Sequence, residues 1–254
     1  PLVEGGAIAA TQPNWLFNQR FGKHHLVGGN AFMLKLMRDQ SVALELSATT
    51  VQFDSTIART ERLLQTQTAE LEVRQLASEL GEWEFEVELW NLAGHKFPSG
   101  YPSRIAFVEF ELQDAEGITL FHSGKWTPET GVMGRDETWE PHWETIDSED
   151  QVQVYEMVIG DVTGAPTQVL ERASVLLKDN RLPPRGFFTN HAAYDTVQFG
   201  PMAALDANFN RAESSNDEGS GSDRLTYRIP NDLNSATVQA HVTLHYLSVP
   251  ARWV

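Results

Sequence analysis

Two strongly alternating runs of hydrophobic and polar residues flank a loop near the middle of the chain. Before the loop, every second residue is apolar, at Trp83, Phe85, Val87 and Leu89. After it, the same period continues at Ala106, Val108, Phe110 and Leu112. Because successive side chains of a strand point to opposite faces, this period of two predicts two half-buried β-strands. The connector between them is rich in turn residues, namely Gly94, Pro98, Gly100 and Pro102, which is typical of a shaped loop.

Similar alternation recurs from residue 69 to the end of the chain. It covers residues 69–77, 82–90, 104–113, 118–124, 151–161, 167–177, 224–230 and 236–248. About eight strands separated by short turn signals predict a mainly β fold, an antiparallel β-sandwich of Ig-like or jelly-roll-like form. Long insertions interrupt it near 124–150 and 178–223. The second insertion ends in the polar run AESSNDEGSGSD, which predicts a mobile surface loop.

The first part of the chain has a different character. Residues 1–28 show no period and predict an extended arm, whereas Asn30 suits the N-cap of a helix over 31–40. A second helix is expected near 50–67. We therefore expect two regions, an arm with a short helical segment over 1–68 and the β-sandwich over 69–254. Because the chain begins with Pro1 rather than Met, we expect a processed product or a part of a longer protein.

Charge and composition exclude several classes of function. The 35 acidic residues outnumber the 19 basic ones, for a net charge of −16, which argues against a nucleic-acid partner. No apolar run is long enough to span a membrane. The chain has no cysteine, which excludes disulfides, thiolate metal sites and covalent attachment of c-type haem to this chain. Common hydrolase, zincin and nucleotide-binding motifs are also absent.

Four histidines are candidates for binding a metal or a cofactor. His24 and His25 precede a Gly-Gly-Asn turn, His95 lies in the GHKFPSG loop, and His142 lies between Trp139 and Trp143. Each is either a loop histidine that hydrogen-bonds the backbone or an imidazole ligand for a metal or haem iron. Three carboxylates in and beside the acidic run leave calcium open as a further cofactor, although their spacing lacks the EF-hand pattern: Asp217, Glu218 and Asp223.

Five segments occur in an order that resembles a known family. They are HHLVGGNAFML (24–34), TIARTERLLQTQTAELEV (56–73), NLAGHKFPSGYPSR (91–104), WEPHWETIDSEDQVQVYE (139–156) and LLKDNRLPPRGF (176–187). Together they resemble the C-terminal portion of large bacterial multihaem c-type cytochromes, in which a haem-bearing region precedes a β-rich domain. The resemblance covers roughly residues 20 to 254. The chain departs from that family because it has no C-x-x-C-H haem-attachment motif.

The resemblance implies a non-catalytic component of an electron-transfer assembly. Haem c would then be attached to a partner chain or to a preceding region, on which residues 1–68 pack. His24 and His95 match family positions that supply distal axial ligands to haem iron, and Arg104 matches a loop clamp. The resemblance also implies a periplasmic or cell-surface location and leaves room for a homo-oligomer or filament.

Two other functions stay open at this point. Exposed aromatic residues could stack on sugar rings and make the sandwich a carbohydrate-binding or adhesion module, the candidates being Trp126, Trp139, Trp143 and Tyr101. An enzyme would instead use His142 or His95 with a nearby carboxylate. No nucleophile–base arrangement is visible in the sequence, so we expect a protein that is not an enzyme.

Overall fold

A computed structural model describes most of the chain. The described residues are 2–3, 21–22, 26–77, 81–100, 102–135, 139–231 and 237–250. They divide into two compact units, formed by residues 1–61 and 62–254. None of the helices in the described part of the chain is long and apolar enough to cross a membrane.

The first unit contains a short strand pair, the first of the two helices expected from the sequence and the start of the second. Strand β1 (Leu2–Val3) pairs antiparallel with β2 (Phe21–Gly22). Helix α1 (Ala31–Asp39) begins after Asn30, whose side chain accepts a hydrogen bond from the Met33 N–H at 2.9 Å, so the predicted N-cap is confirmed. Helix α2 (Thr50–Gln67) follows and crosses the boundary between the units.

The second unit is built from strands with a few short helical turns. Its longer strands are β3 (Ala69–Gln75), β4 (Glu82–Asn91), β5 (Ile105–Asp114) and β6 (Thr119–Ser123). Next come β7 (Trp126–Thr127), β8 (Gly131–Val132), β9 (Thr145–Ile146), β10 (Val154–Tyr155) and β11 (Met157–Gly160). A 3₁₀ turn (Leu170–Arg172) precedes β12 (Val175–Asp179), α3 (Tyr194–Val197), α4 (Pro201–Leu205), β13 (Ser222–Pro230) and β14 (Val238–Leu247).

These strands form two main sheets that face each other. One sheet has the order β3-β4-β13-β9, and the other has the order β10-β5-β14 with β6 also paired to β5. Strands β7 and β8 form one small antiparallel pair, and β11 and β12 form another. All pairs are antiparallel except β9 with β13, which run parallel. The predicted mainly β fold with a helical segment on its N-terminal side is confirmed.

The alternation in β4 and β5 arises because their inward side chains fill the space between the sheets. Phe110 of β5 stacks on Tyr227 of β13 with ring centroids 4.1 Å apart, and it lies 5.6 Å from Phe85 of β4. The opposite face of β5 is also covered, because Ile105 and Phe107 pack in a second, smaller cluster. Strand β5 is therefore buried on both faces over its first half.

The predicted insertions contain packed structure. The first contains β7, β8 and β9, and the second contains α3 and α4. The prediction of a mobile surface loop over AESSNDEGSGSD is wrong at the C-terminal end of that run. There the Gly221 N–H donates to the Asn210 side chain at 3.0 Å. Ser222 and Asp223 then begin β13 and are fully buried. A run of small polar residues here satisfies its polar groups inside the fold.

Candidate functional site

The loop that carries His95 is fixed at its base by Asn91, the last residue of β4. The Asn91 side chain is buried, and its Nδ2 donates to the carbonyl oxygens of His95 (2.7 Å) and Leu182 (2.9 Å). Its Oδ1 accepts a hydrogen bond from the Ala93 N–H at 2.8 Å. One amide therefore closes the start of the loop and ties it to a second segment of the unit.

The middle of the same loop is held by a β-bridge and by a guanidinium group. Phe97 and Leu182 exchange two backbone hydrogen bonds of 2.8 Å each, and the Phe97 ring packs 6.0 Å from the Tyr246 ring. Arg104 Nη1 donates to the Ser99 carbonyl at 2.9 Å, which confirms the predicted loop clamp. The loop is therefore anchored on both sides of His95.

Lys96, next to His95, belongs to a buried ion cluster. Its Nζ lies 2.7 Å from Asp179 Oδ2 and donates to the Gln198 carbonyl at 2.9 Å, while Arg181 binds both Asp179 oxygens at 2.7 Å. Burial lowers the pKa of Lys96, and Asp179 partly offsets this. Burial also acts against the charged form of Asp179, but the hydrogen bonds and charges of Arg181 and Lys96 outweigh it and hold the pKa of that carboxyl below its usual value.

The His95 ring is exposed and has a defined tautomer. Its Nδ1 lies 3.0 Å from the Lys96 carbonyl oxygen. A carbonyl oxygen can only accept, so Nδ1 carries the hydrogen and Nε2 keeps its lone pair. None of the described residues makes a hydrogen bond to Nε2. A ligating histidine commonly donates its other ring N–H to a carbonyl or carboxylate in this way, so His95 fits an axial ligand.

A cleft of about 430 Å³ opens beside His95. Its walls combine apolar and charged side chains: Met157, Leu176, Pro184, Phe187, Val197, Lys96, Arg181 and Asp195. Leu176 and Val197 are 41% and 46% exposed. The exposed imidazole therefore borders apolar surface, as a site for a large planar cofactor requires.

His142, the fourth candidate, lies inside the fold in a polar network. Its side chain is 1% exposed, and its Nε2 is 2.9 Å from Asp206 Oδ2 and 4.0 Å from Asp223 Oδ2. On the other side of the ring, Nδ1 is 2.9 Å from Gln153 Nε2 and 3.2 Å from Asn180 Nδ2. Both ring nitrogens are therefore engaged within the fold.

Backbone contacts determine which ring nitrogen of His142 carries the hydrogen. The Gln153 Oε1 accepts from the Trp143 N–H at 2.9 Å, and the Asn180 Oδ1 accepts from the Glu156 N–H at 3.0 Å. Each amide therefore turns its NH₂ group toward His142 Nδ1, which must be the acceptor. The hydrogen of the neutral ring lies on Nε2, from which it is donated to the nearby aspartate.

The same geometry tests whether this network suits a metal ion. His142, Asp206 and Asp223 form the one group of potential ligands found in the described part of the chain, with ligand atoms within 4.8 Å of one another. A metal on Nε2 would displace the ring hydrogen and would require Nδ1 to become a donor. Since Nδ1 faces two amide donors, the residues do not fit a metal ion. The buried ring is equally unsuited to a haem on another chain.

Asp223 is the most strongly perturbed carboxyl group of the network. It is fully buried, and its Oδ2 accepts from the Tyr155 hydroxyl at 2.7 Å and from Gln153 Nε2 at 3.3 Å. Its Oδ1 has no hydrogen-bond partner among the described residues. Burial raises the pKa of Asp223 to about 6, with His142 acting against the rise. Burial and the Asp223 charge together raise the pKa of Tyr155.

Glu144 and Asp206 form a carboxyl pair where this network meets a cleft of about 380 Å³. The hydrogen bond with Asp206 raises the pKa of Glu144, and burial adds to the rise. Burial opposes ionisation of Asp206, but hydrogen bonds from His142 and the Asn208 N–H hold its pKa below the usual value. Of the two carboxyls, Glu144 is therefore the one that loses its proton at the higher pH. The cleft is lined by His142, Trp143, Glu144, Thr145, Met202, Leu205 and Asp206.

A buried ion pair adjoins the network and was not predicted from the sequence. The Lys178 side chain is 1% exposed and donates to the Val154 carbonyl at 2.8 Å and to Glu156 Oε1 at 3.3 Å. Glu156 also pairs with Arg135 at 3.2 Å. Burial lowers the pKa of Lys178 to about 8, and Glu156 limits the fall. In the sequence, Lys178 lies in the LLKDN segment at the end of a predicted strand. No local pattern there indicates that the lysine is buried.

Other predicted site residues have different positions. His24, His25 and Tyr101 lie outside the described residues. The tryptophans Trp126, Trp139 and Trp143 are half-buried, so they do not form the exposed aromatic surface expected of a sugar-binding module.

The proposed calcium ligands are likewise not assembled into a site. Asp217 is exposed, whereas Asp223 is buried against Tyr155. Glu218 accepts hydrogen bonds from the Thr189 N–H and hydroxyl at 3.1 and 3.0 Å. The three carboxylates do not form a ligand group in the described part of the chain.

Comparison with known proteins gives one distant structural similarity. No protein-family model matches the chain, and no curated protein matches it in sequence. A penta-haem cytochrome c552 from Thermochromatium tepidum is similar in structure, with a TM-score of 0.45 and 16% sequence identity. The alignment covers 76% of this chain and 34% of the cytochrome chain, so this chain spans about a third of that protein.

Proposed function

We propose that the chain is a non-catalytic component of a multihaem cytochrome electron-transfer assembly. In this proposal His95 is the distal axial ligand of a haem iron that a partner chain or a preceding region carries. The class is supported by the five sequence segments that resemble multihaem cytochromes. The ligand role is supported by one observation above all, the exposed His95 ring whose Nδ1–H is held by the Lys96 carbonyl while Nε2 keeps its lone pair.

The surroundings of His95 suit this role for physical reasons. The buried Asn91 amide and the bridge between Phe97 and Leu182 hold the loop in one geometry, so little conformational entropy is lost when the ring binds. The hydrogen bond from Nδ1 makes the imidazole a stronger ligand. When bound, haem supplies one-electron transfer, and this chain supplies the ligand, its orientation and an apolar wall.

The remaining parts of the proposal concern the first unit and the location. Helix α1 has no buried residue, and Phe32 and Leu36 are 49% and 43% exposed. Such a face suits packing on a haem-bearing region. His24 and His25 remain predicted ligands there, and a periplasmic or cell-surface location follows from the same assembly.

The ligand role is tested with a ferric haem peptide that carries a single histidine ligand. The titration uses the full chain with His24 and His25 replaced by alanine, so that these two predicted ligands do not contribute. Adding it to the peptide should convert the high-spin Soret spectrum into a low-spin spectrum with two imidazole ligands. His95→Ala should weaken the affinity for the haem peptide at least about tenfold, which corresponds to about 1.4 kcal/mol.

A matched control comes from another exposed histidine. His191 Nδ1 accepts from the Ala193 N–H at 3.1 Å, so the hydrogen of its neutral ring lies on Nε2. We expect His191→Ala to bind like the unmodified chain. If His95→Ala forms the low-spin species as readily as the control does, the ligand role of His95 is wrong.

A further inference from the structure

Two cations share one carboxylate in the wall of the His95 cleft. The side chains of Lys96 and Arg181 are only 12% and 15% exposed, and both form ion pairs of 2.7 Å with Asp179, which is 4% exposed. All three residues line the cleft together with His95. This cluster therefore carries one positive charge more than its single carboxylate balances. Charges taken out of water are normally paired, so a second anion is expected in the cleft.

The guanidinium group of Arg181 has one edge that no described residue occupies. Its Nε donates to Asp179 Oδ1 and its Nη2 to Asp179 Oδ2, both at 2.7 Å. A guanidinium has five N–H donors in a fixed fork, so the edge formed by Nη1 and Nη2 remains for a second carboxylate. Nη1 has no partner among the described residues and is not one of their fully buried unpartnered atoms. A ligand in the cleft can therefore reach this edge.

Lys96 also has an N–H donor that no described residue accepts. Of the three N–H groups of its ammonium, one contacts Asp179 Oδ2 at 2.7 Å and one contacts the Gln198 carbonyl at 2.9 Å. Burial lowers the pKa of Lys96; Asp179 opposes this fall, and the charge of Arg181 adds to it. A second carboxylate would stabilise both cations. The other carboxylate of the cleft, Asp195, is exposed and forms no ion pair with a described residue, so water screens its charge.

We propose that Arg181 and Lys96 bind a carboxylate in this cleft, namely a propionate of the haem whose iron His95 ligates. This inference rests on the proposed function and adds a second contact to the same cofactor. Haem has apolar faces and two carboxylates at its rim, and the cleft combines the apolar Leu176 and Val197 with these cations. An acidic side chain of a partner chain has the same chemistry, so the test must separate the two sources.

The test compares two forms of the ferric haem peptide, one with free propionates and one with both propionates converted to methyl esters. Each form is titrated with the full chain in which His24 and His25 are replaced by alanine. The free-acid form should bind at least about tenfold more tightly, which corresponds to about 1.4 kcal/mol. The net charge of −16 alone predicts the opposite order, because the ester form is less negative. The sign of the difference is therefore diagnostic.

Three variants in the same background then identify the cations. Arg181→Met should remove the preference by weakening only the free-acid complex, and Arg181→Lys should keep part of it, because one ammonium replaces a bidentate fork. The matched control is Arg185→Met, since Arg185 is exposed and does not line the cleft; it should keep the full preference. Circular dichroism and the affinity for the ester form check that each variant is folded.

The possible outcomes separate this inference from the ligand role of His95. Low-spin complexes of equal affinity, or a tighter ester complex, would overturn the propionate contact and leave the ligand role intact. Equal affinity is also the result expected if the cleft binds an acidic side chain of a partner chain instead. A preference that persists in folded Arg181→Met would assign the carboxylate to another cation and overturn the inference. If neither form gives a low-spin complex, both the ligand role and the propionate contact are wrong.

Discussion

We expect the stability difference between Asp223→Asn and the unmodified chain to grow in favour of the variant as the pH rises from acid to neutral. Asp223 is fully buried, and its Oδ1 has no partner among the described residues. Asparagine keeps an oxygen to accept the Tyr155 hydroxyl and removes the buried charge. The change therefore isolates the free-energy cost of ionising this one carboxyl group.

The size of the effect follows from the pKa of Asp223, which burial raises from 3.8 to about 6. Between these values the folded chain keeps a proton that the unfolded chain has lost. The free energy of unfolding therefore falls as the pH rises through this window, and the full cost persists above about pH 6. The difference of about 2.2 pH units, at about 1.36 kcal/mol each, corresponds to roughly 3 kcal/mol.

The assay is urea unfolding of both chains at several pH values from about 4 to 7.5. The stability of Asp223→Asn minus that of the unmodified chain should increase by about 2.4 kcal/mol across this range, because a small part of the effect is already present at pH 4. Asp217→Asn is the matched control, because Asp217 is exposed on the same segment. A difference that is constant with pH, or that shrinks toward neutral pH, would refute the argument that Asp223 is ionised at a cost.

Two further predictions concern the glycines on either side of β6 and the loop that precedes β5. Gly124 has a φ of +71°, and an added Cβ would lie 2.3 Å from the Val108 carbonyl oxygen, whereas Gly117 has a φ of +81° with open space around it. In thermal unfolding we expect Gly117→Ala to cost about 1 kcal/mol and Gly124→Ala about 3 kcal/mol; equal losses would contradict this. Asn91→Ala should cost about 2 to 4 kcal/mol because it leaves buried backbone groups without partners, and it should also weaken the haem-peptide titration. Unchanged stability would show that the loop is held elsewhere.

The long strands could be predicted from the sequence because their pattern is local. Strand β4 alternates from Glu82 to Leu89 and β5 from Val108 to Gln113, so the period of two is clear in both. Strand β9 has only two residues and pairs parallel with β13 across a long sequence separation. No local pattern indicates such a pairing, so the sequence places β9 inside an insertion.

The polar positions inside the fold were harder to predict because their partners are distant in sequence. The row Glu84, Glu86 and Glu88 reads as a solvated face, but Glu88 is only 6% exposed, with Arg74 and Arg224 at 3.6 and 3.8 Å. Asp223 lies at the end of a Gly/Ser/Asp run and reads as a loop residue for the same reason. His95 was a candidate from its turn-rich surroundings, whereas its tautomer depends on one carbonyl that only the structure reveals.

The buried network around His142 also has a consequence for how the strands align. A slip of β13 by one residue against β4 would turn Asp223 out of the core and bring Arg224 into its place. The hydroxyl of Tyr155 and the amide of Gln153 would then face a cation and could not donate to it. The same slip would also turn Leu225, Tyr227 and Ile229 out of the core, so the network adds a polar requirement to the apolar pattern, and both favour a single register for β13.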